Sequence, residues 1–425
     1  MVQTCEVHTR NNLRFFLIAF ALLLPTACLF GCSTMAGITT AIDAPGPGAP
    51  VPVQPMASGP ISPLYFGLAI HNDVHWPSVS FGSHRLWDCG PTWAQIEPQR
   101  GNFVWWILDM EIEDMETRNP AGDTILELGQ TPTWASIYPT MQSPDGLGAA
   151  GPPADNLYWQ EYVTAVVTRY KGRIHAYEIW NEPFTTVFWA GTESQLVELT
   201  REAYNIIHSI DPSALVLSPS NNLQWMSGFL AAGGGNYVDV IATHIGSYPH
   251  APEAIAVSIQ KMKGIMSEYG VQNKPLWNTE FEYVEPDYFA TDQDAAAWLA
   301  RVYIVDWWFG IERSYFYAWD DLNMTLQTVD SNFKANSAGI AYGVVFNWLA
   351  GATMTNCRND ASGTWICSLE RNDQPFWIVW NVNGATTVPR TIAPGATSEQ
   401  DLTGATSGIG VNSTIAIGES PMLLQ

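Results

Sequence analysis

The stretch IHAYEIWNEPF, residues 174–184, runs apolar from Ile174 and ends on an ionisable group, Glu182, held between Asn181 and Pro183. A carboxyl at the end of such a run is costly to bury unless something pairs with it or uses it. The first part, IHAYEIW (174–180), has the short, bounded, apolar character of a strand buried on both faces. Seven more segments share that texture: LYFGLAI (64–70), HRLWD (84–88), TILELG (124–129), ALVLSPS (214–220), VDVIATHI (238–245), KPLWNTEF (274–281) and SYFYAWD (314–320).

Stretches of helical period lie between them. ESQLVELTREAYNIIHSI sets Leu196, Leu199, Ala203, Ile206, Ile207 and Ile210 on one face at three- and four-residue spacing. DQDAAAWLARVYIVDWWFGI opens on capping-type acids and continues apolar, as a helix laid against a barrel does. The first crossover, 71–83, has no helical period. Parallel strands need crossovers of this kind, so eight strands in alternation predict a (β/α)8 barrel over 64–352, with an eighth helix in AGIAYGVVFNWLAGA (338–352). Beyond it TWICSLER, PFWIVWNV, TTVPRTI and STIAIGESPMLL alternate between Asn-Asp, Asn-Gly and Gly-rich turns. They predict a small β-sandwich over 353–425, packed on the barrel flank.

With 47% hydrophobic and 14% charged residues, the 425-residue chain is globular. Its formal charge of −23 and the lack of any basic stripe argue against nucleic acid and anionic lipid headgroups as partners. Nineteen Trp offer flat faces that suit sugar rings as well as packing. Arg10 and Arg14 lead into the apolar run Phe15 to Leu24, which fits a signal peptide over 1–31. LFGC (29–32) behind it resembles a bacterial lipoprotein processing site, with Cys32 lipidated and the protein tethered to a membrane of the cell envelope, on its periplasmic or outer-surface side; without lipidation it would be secreted. Residues 32–63, rich in Pro, Gly and Ala, read as the tether. Cys5 and Cys28 leave with the signal, Cys357 and Cys367 flank a turn and are expected to form a disulfide, and Cys89 reads as a packed thiol. Zinc-type spacing is absent, and the scattered histidines do not assemble a metal-hydrolase ligand set.

The site of such a barrel lies at the C-terminal mouth of its strands. Glu182 stands after the fourth strand and Glu280 at the end of the seventh, and two carboxylates so placed are the parts of a glycoside hydrolase. IWNEP (179–183), WNTEF (277–281) and YAWDD (317–321) resemble the clan A retaining glycoside hydrolases. RLWDCGPTWAQIEPQRGNFVW (85–105) and LGQTPTWAS (128–136) are most similar to family 39, with family 5 close behind. The resemblance spans about residues 64–350 and implies a retaining β-glycoside hydrolase, endo- or exo-acting, on a β-linked polysaccharide or oligosaccharide, with no cofactor and no metal. A monomer is expected. The competing reading is a carbohydrate-binding surface lipoprotein that kept the barrel and lost turnover.

By the resemblance Glu182 is the general acid/base and Glu280 the nucleophile. Arg85 matches the arginine that steadies the nucleophile, Asn181 the asparagine that binds the hydroxyl next to the anomeric carbon, and Trp319 the tryptophan flooring the first subsite. His244 and Tyr248 stand where these families place a histidine and a tyrosine near the nucleophile; the spacing differs from many relatives, and Tyr248 or Tyr283 fills the second role. Glu282 rivals Glu280 from the same side of an extended strand. His71 and Trp134 are placed to line the cleft or to serve structure alone.

Overall fold

The computed structural model describes residues 59–247, 250–282, 289–410 and 414–425. The expected signal segment, Cys32, nearly all of the tether, Tyr248 and Tyr283 lie outside them.

Eight parallel strands form the barrel: β1 (Phe66–Leu68), β2 (Ser83–Leu86), β3 (Asp123–Leu128), β4 (Ala176–Ile179), β5 (Leu215–Leu217), β6 (Ile241–Thr243), β7 (Leu276–Phe281) and β8 (Arg313–Phe316). The ladder runs β5-β4-β3-β2-β1-β8-β7-β6. Parallel bridges Leu217 to Val240 and Asn221 to Thr243 close the ring between β5 and β6. Each predicted segment contains or overlaps its strand, because strands buried on both faces read as continuous apolar runs.

The helices are α1 (Trp93–Ile96), α2 (Trp106–Arg118), α3 (Asn156–Arg169), α4 (Glu193–Ile210), α5 (Leu223–Ala231), α6 (Ile255–Glu268), α7 (Asp292–Trp308) and α8 (Ser337–Leu349). The β1–β2 crossover holds only a 3-10 turn, Asp73–His75, as its lack of period implies. Helix α4 starts on a capping box in which Thr192 and Gln195 satisfy each other's backbone N–H, and it buries Leu196, Leu199, Ala203 and Ile207. Helix α7 starts the same way on Thr291 and Asp294, yet every residue from Ala295 to Trp308 is buried. The reason is a second covering: α7 and α8 share one apolar cluster with Met354, Trp365, Phe376, Trp380 and Leu423 of the C-terminal sheets.

Those sheets are antiparallel. Six strands run in the order β14 (Thr406–Gly408), β13 (Ser398–Gln400), β16 (Met422–Leu424), β11 (Gln374–Asn381), β10 (Thr364–Arg371) and β9 (Thr353–Asn359), and β12 (Thr386–Pro389) pairs with β15 (Thr414–Ile417). Val379, Val388, Ile415, Ile417 and Leu424 pack between them. Cys357 of β9 (Thr353–Asn359) faces Cys367 of β10 (Thr364–Arg371) in register, and the two are bonded. Trp380 Nε1 donates to Glu253 Oε1 on the barrel side, and Arg371 donates to the carbonyls of Asn347 and Trp348.

Inside the ring the strand residues form two layers. Ile125, Ala176, Leu217, Val240, Ala242, Trp277 and Tyr315 make an apolar plug. A Cβ on Gly67 would stand 2.2 Å from the Tyr315 ring, so only glycine lets this plug close against β1. One pleat further toward the mouth come Glu127 and Glu178, on the same faces of β3 and β4 as Ile125 and Ala176.

Candidate active site

Arg85, carried by β2, organises the upper layer. Its Nε donates to Glu178 Oε2 at 2.7 Å, Nη1 to Glu280 Oε2 at 2.8 Å and Nη2 to Asn181 Oδ1 at 2.9 Å. The side chain is 1% exposed, so these charge-assisted bonds must offset most of the cost of its burial. Thr279 Oγ1 donates to the other oxygen of Glu178 at 2.6 Å.

Glu280 reaches this fork through a bulge. Asn278 pairs with Ser314 and Phe281 with Phe316, so β7 carries one residue more than β8 between those pairs. Thr279 and Glu280 therefore both turn toward the interior, where a regular strand would alternate them. Glu282 lies past the end of β7, and burial, then the neighbouring Glu280 and Glu182, hold its carboxyl well above the usual range.

Glu182 is set by a turn. Trp180 and Glu182 have φ of 66° and 41°, left-handed values rare for side chains of this size. Each costs about 1–3 kcal/mol and persists because its surroundings over-determine it. The Glu182 N–H donates to Ser220 Oγ at 3.2 Å, and Trp180 Nε1 donates to the Phe188 carbonyl at 2.7 Å.

His244, just past β6, stands between the two glutamates. Its Nδ1 is 2.9 Å from Glu182 Oε1 and its Nε2 is 4.0 Å from Glu280 Oε2. Carboxyl oxygens of Glu182 and Glu280 lie within 4.8 Å of each other. Their surroundings differ. Burial pushes Glu182 up to about 7 against the pull of Arg85. Burial also raises Glu280, but Arg85, bonded to it directly, favours its charged form. Burial holds His244 at about 4, hence neutral near pH 7.

At the edge of this cluster His71 Nε2 is 3.0 Å from Asp88 Oδ2, which also accepts from the Tyr317 hydroxyl. Burial disfavours the charge on His71, yet Asp88 outweighs it and raises the imidazole to about 9. Trp87 and Tyr317 pack together here with Phe188 beside them.

Five sequence-predicted residues, Arg85, Asn181, Glu182, His244 and Glu280, thus meet at the mouth, with His71 at the margin. Two do not join them. Trp134 packs edge-on against Trp93 and tilts over Tyr158, and its Nε1 donates to the Glu97 carbonyl, so it belongs to the outer wall. Trp319 is 1% exposed with its Nε1 on the His75 carbonyl, so its face is not open as a subsite floor; Tyr317, two residues earlier, touches the cleft residues instead. Glu178, Thr279, Asp88 and Tyr317 were not singled out from sequence. Glu178 stands in the same apolar run four residues before Glu182, and the cost of burying an idle carboxyl there marks it in the same way.

Two groups among the described residues approach metal-ligand spacing. In Glu182, His244 and Glu280 the Arg85 guanidinium already neutralises one member. In His84, Cys89 and Glu111 the Ile70 N–H donates to His84 Nε2 at 3.2 Å, so the ring proton of the neutral imidazole sits on Nδ1, the atom turned toward Glu111. That nitrogen is a donor and not a ligand. Burial pushes the Cys89 thiol up, as for a packed residue.

No family model matches the chain, and no curated protein matches it. Solved structures do. A family 39 glycoside hydrolase from the gut symbiont Bacteroides cellulosilyticus WH2 superposes with a TM-score of 0.69 at 17% identity, over 85% of this chain and 81% of that one. A family 39 β-xylosidase from Caulobacter crescentus gives 0.65 at 14% identity, over 88% and 98%. The catalytic domain of the family 30 xylanase C from Talaromyces cellulolyticus gives 0.58 at 12% identity, over 88% and 98%. The chain thus shares with these glycoside hydrolases, over most of its length, the (β/α)8 barrel joined to a C-terminal β-sandwich.

Proposed function

We propose that this protein is a retaining β-glycoside hydrolase that cleaves a β-linked oligosaccharide or polysaccharide. One observation carries the reading: two mouth carboxyls within 4.8 Å of each other, of which Arg85 bonds one and leaves the other. Retaining enzymes hold their carboxyls about 5–5.5 Å apart, too close for a water between them. The likeness to glycoside hydrolase structures supports the same reading.

The roles follow from electrostatics. Glu280, bonded to a cation, is the carboxylate that attacks the anomeric carbon. Glu182, held up to about 7, is still largely protonated just below neutral pH and gives its proton to the glycosidic oxygen as the bond breaks. A glycosyl ester on Glu280 forms and the alcohol leaves. With the ester formed, the negative charge on Glu280 is gone, which favours an ionised Glu182. Glu182 then takes a proton from water, which displaces Glu280 with a second inversion and net retention. Neutral His244 orients Glu182 without competing for its proton. Asn181, fixed by the Arg85 Nη2 donor, directs its amide N–H groups toward the sugar hydroxyl beside the reacting carbon.

An activated glycoside bearing fluorine beside the anomeric carbon should trap the ester, and peptide mass mapping should place the sugar on Glu280. Label on Glu282, or none with turnover intact, would refute the assignment. We further propose that the protein is exported and anchored through a lipid on Cys32, on the strength of LFGC behind the apolar run. Cys32→Ser should move it from the membrane to the soluble fraction with activity unchanged.

A further inference from the structure

A cavity of about 630 Å³ opens between the β3–α3 and β4–α4 loops, at the same end of the barrel as the two glutamates. That volume lies within the range of about 300–1,000 Å³ typical of ligand pockets. One wall is Ile137 to Met141. The other, Thr186 to Gly191, follows directly from Glu182: Thr185 N–H donates to the Glu182 carbonyl, and Trp189 N–H to the Thr185 carbonyl.

The walls are built and held. Ala190 N–H donates to the Ala150 carbonyl at 2.7 Å, tying one loop to the other, and Ile137 N–H donates to Pro152 at 3.0 Å. Gly191 lets the two loops pack closely, since a Cβ there would stand 2.5 Å from the Trp189 ring and 2.6 Å from Pro152. No lining residue is charged, although the chain as a whole carries −23. Hydroxyls come from Tyr138, Thr140 and Thr186. Tyr138 is 44% exposed and Ile137 39%, and Phe184 and Val187 add exposed apolar surface beside them on the Glu182 loop. Flat apolar faces mixed with neutral hydroxyls match an uncharged sugar ring, which is amphipathic in the same way.

We infer that this cavity binds the leaving-group side of an uncharged β-glycan, so that the enzyme cuts within chains rather than only releasing single end sugars. The inference rests on the glycosidase reading. Glu182 is the group that protonates the departing oxygen, and the cavity wall is the continuation of its loop, so the departing sugars run out toward this space. Binding energy gained there acts on a part of the substrate remote from the reacting bond and can be used to lower the barrel's barrier for long chains.

The test compares wild type, Tyr138→Ala and Thr140→Trp, the last filling the cavity from an exposed position. Substrates are xylohexaose, cellohexaose and laminarihexaose against para-nitrophenyl β-xyloside and β-glucoside, whose leaving group is a single ring. Internal products from at least one hexaose are expected, with kcat/KM lowered about tenfold or more in both variants and aryl glycosides unchanged within about twofold. Equal loss on both substrate types, no loss on hexaoses, or release of single sugars only would overturn the inference while leaving the glycosidase reading intact. If wild type cleaves nothing, the glycosidase reading fails. The cavity is then judged by calorimetric titration with the three hexaoses: binding weakened in both variants supports it, and absent or unaltered binding overturns it.

Discussion

At the bottom of the barrel Arg313 donates from Nη1 to Asp123 Oδ2 at 2.7 Å, and His175 Nδ1 lies 2.8 Å from the other Asp123 oxygen. At the mouth Arg85 faces Glu178, Glu280 and Asn181. Both arginines are withdrawn from water and both bridge strands far apart in sequence. The bottom is balanced: burial would raise Asp123, but His175 and Arg313 outweigh it and hold its carboxyl below the usual range. The Trp277 ring, 4.1 Å from the Arg313 guanidinium, completes the enclosure. The mouth is not balanced. One guanidinium serves Glu178 and Glu280 while Glu127, Glu182 and Glu282 crowd nearby, all three held upward chiefly by burial. Glu127 is 1% exposed, and the Arg85 charge and Gln130 only partly offset the cost of its burial. A satisfied charge network stabilises a barrel, whereas a surplus of carboxyls over cations gives groups poised to change protonation during a reaction.

The difference can be broken first at Glu280. Glu280→Gln should lower kcat/KM by about 10⁴-fold or more on good and poor leaving groups alike. Substantial residual turnover would remove Glu280 from the chemistry.

Next comes Glu182. Glu182→Ala should cost about 10²–10⁴-fold where the leaving group needs a proton, and far less in the glycosylation step of activated aryl glycosides. Azide, which needs no general base, should restore turnover and yield a β-glycosyl azide. In wild type, kcat/KM should fall as pH rises through about 7, since Glu182 must carry its proton. That limb should be missing in Glu182→Ala, and its survival there would assign it to another group.

Replacing the arginines separates the two ends. Arg85→Met strands Glu178 and Glu280 in the interior, so about 3–5 kcal/mol of stability and about 10²–10³-fold in kcat/KM should be lost, with the acid limb moved to higher pH. Arg313→Met should destabilise as well, but leave kcat/KM within about twofold at a temperature where it stays folded. A comparable loss of activity from Arg313→Met would erase the distinction.

The smallest effect belongs to Asp123→Asn, with about 1–3 kcal/mol less stability at pH 7 and unchanged kcat/KM. Because Asp123 has its folded pKa below its unfolded value, its contribution is present above about pH 4 and is lost as pH falls through the folded value. Denaturant melts of wild type and Asp123→Asn should therefore converge in acid. A gap that does not narrow at all between about pH 4 and pH 2 would mean the hydrogen bonds, and not the charge, carry the effect.

Most of the barrel is legible in the sequence. Helix α4 announces itself through its spacing, and the strands through unbroken apolar runs bounded by turns. The sandwich was less legible. β9, reading TMTNCRN, is an edge strand with exposed Thr355 and Asn356, so it lacks both the apolar run and the alternation that marks β10 and β11. The aromatic lining was not legible at all. Trp319 and Tyr317 are equally good sugar platforms by composition, and only the path of the chain after β8 decides which one packs against His71 and Trp87.

The residue types and the strand ends that bear them were determined by sequence alone. Glu182 follows one apolar run and Glu280 closes another, and burial makes either position too costly for an idle carboxylate. What only the tertiary structure decided is the division of labour between them. Arg85 is 93 residues from Glu178 and 195 from Glu280, and one extra residue in β7 turns Glu280 to meet it. Chain order does not encode a distance of 2.8 Å across a barrel, and charge interactions depend on that distance and on the water excluded around it. Local pattern therefore selects the carboxyls, and closure of the ring assigns each its proton.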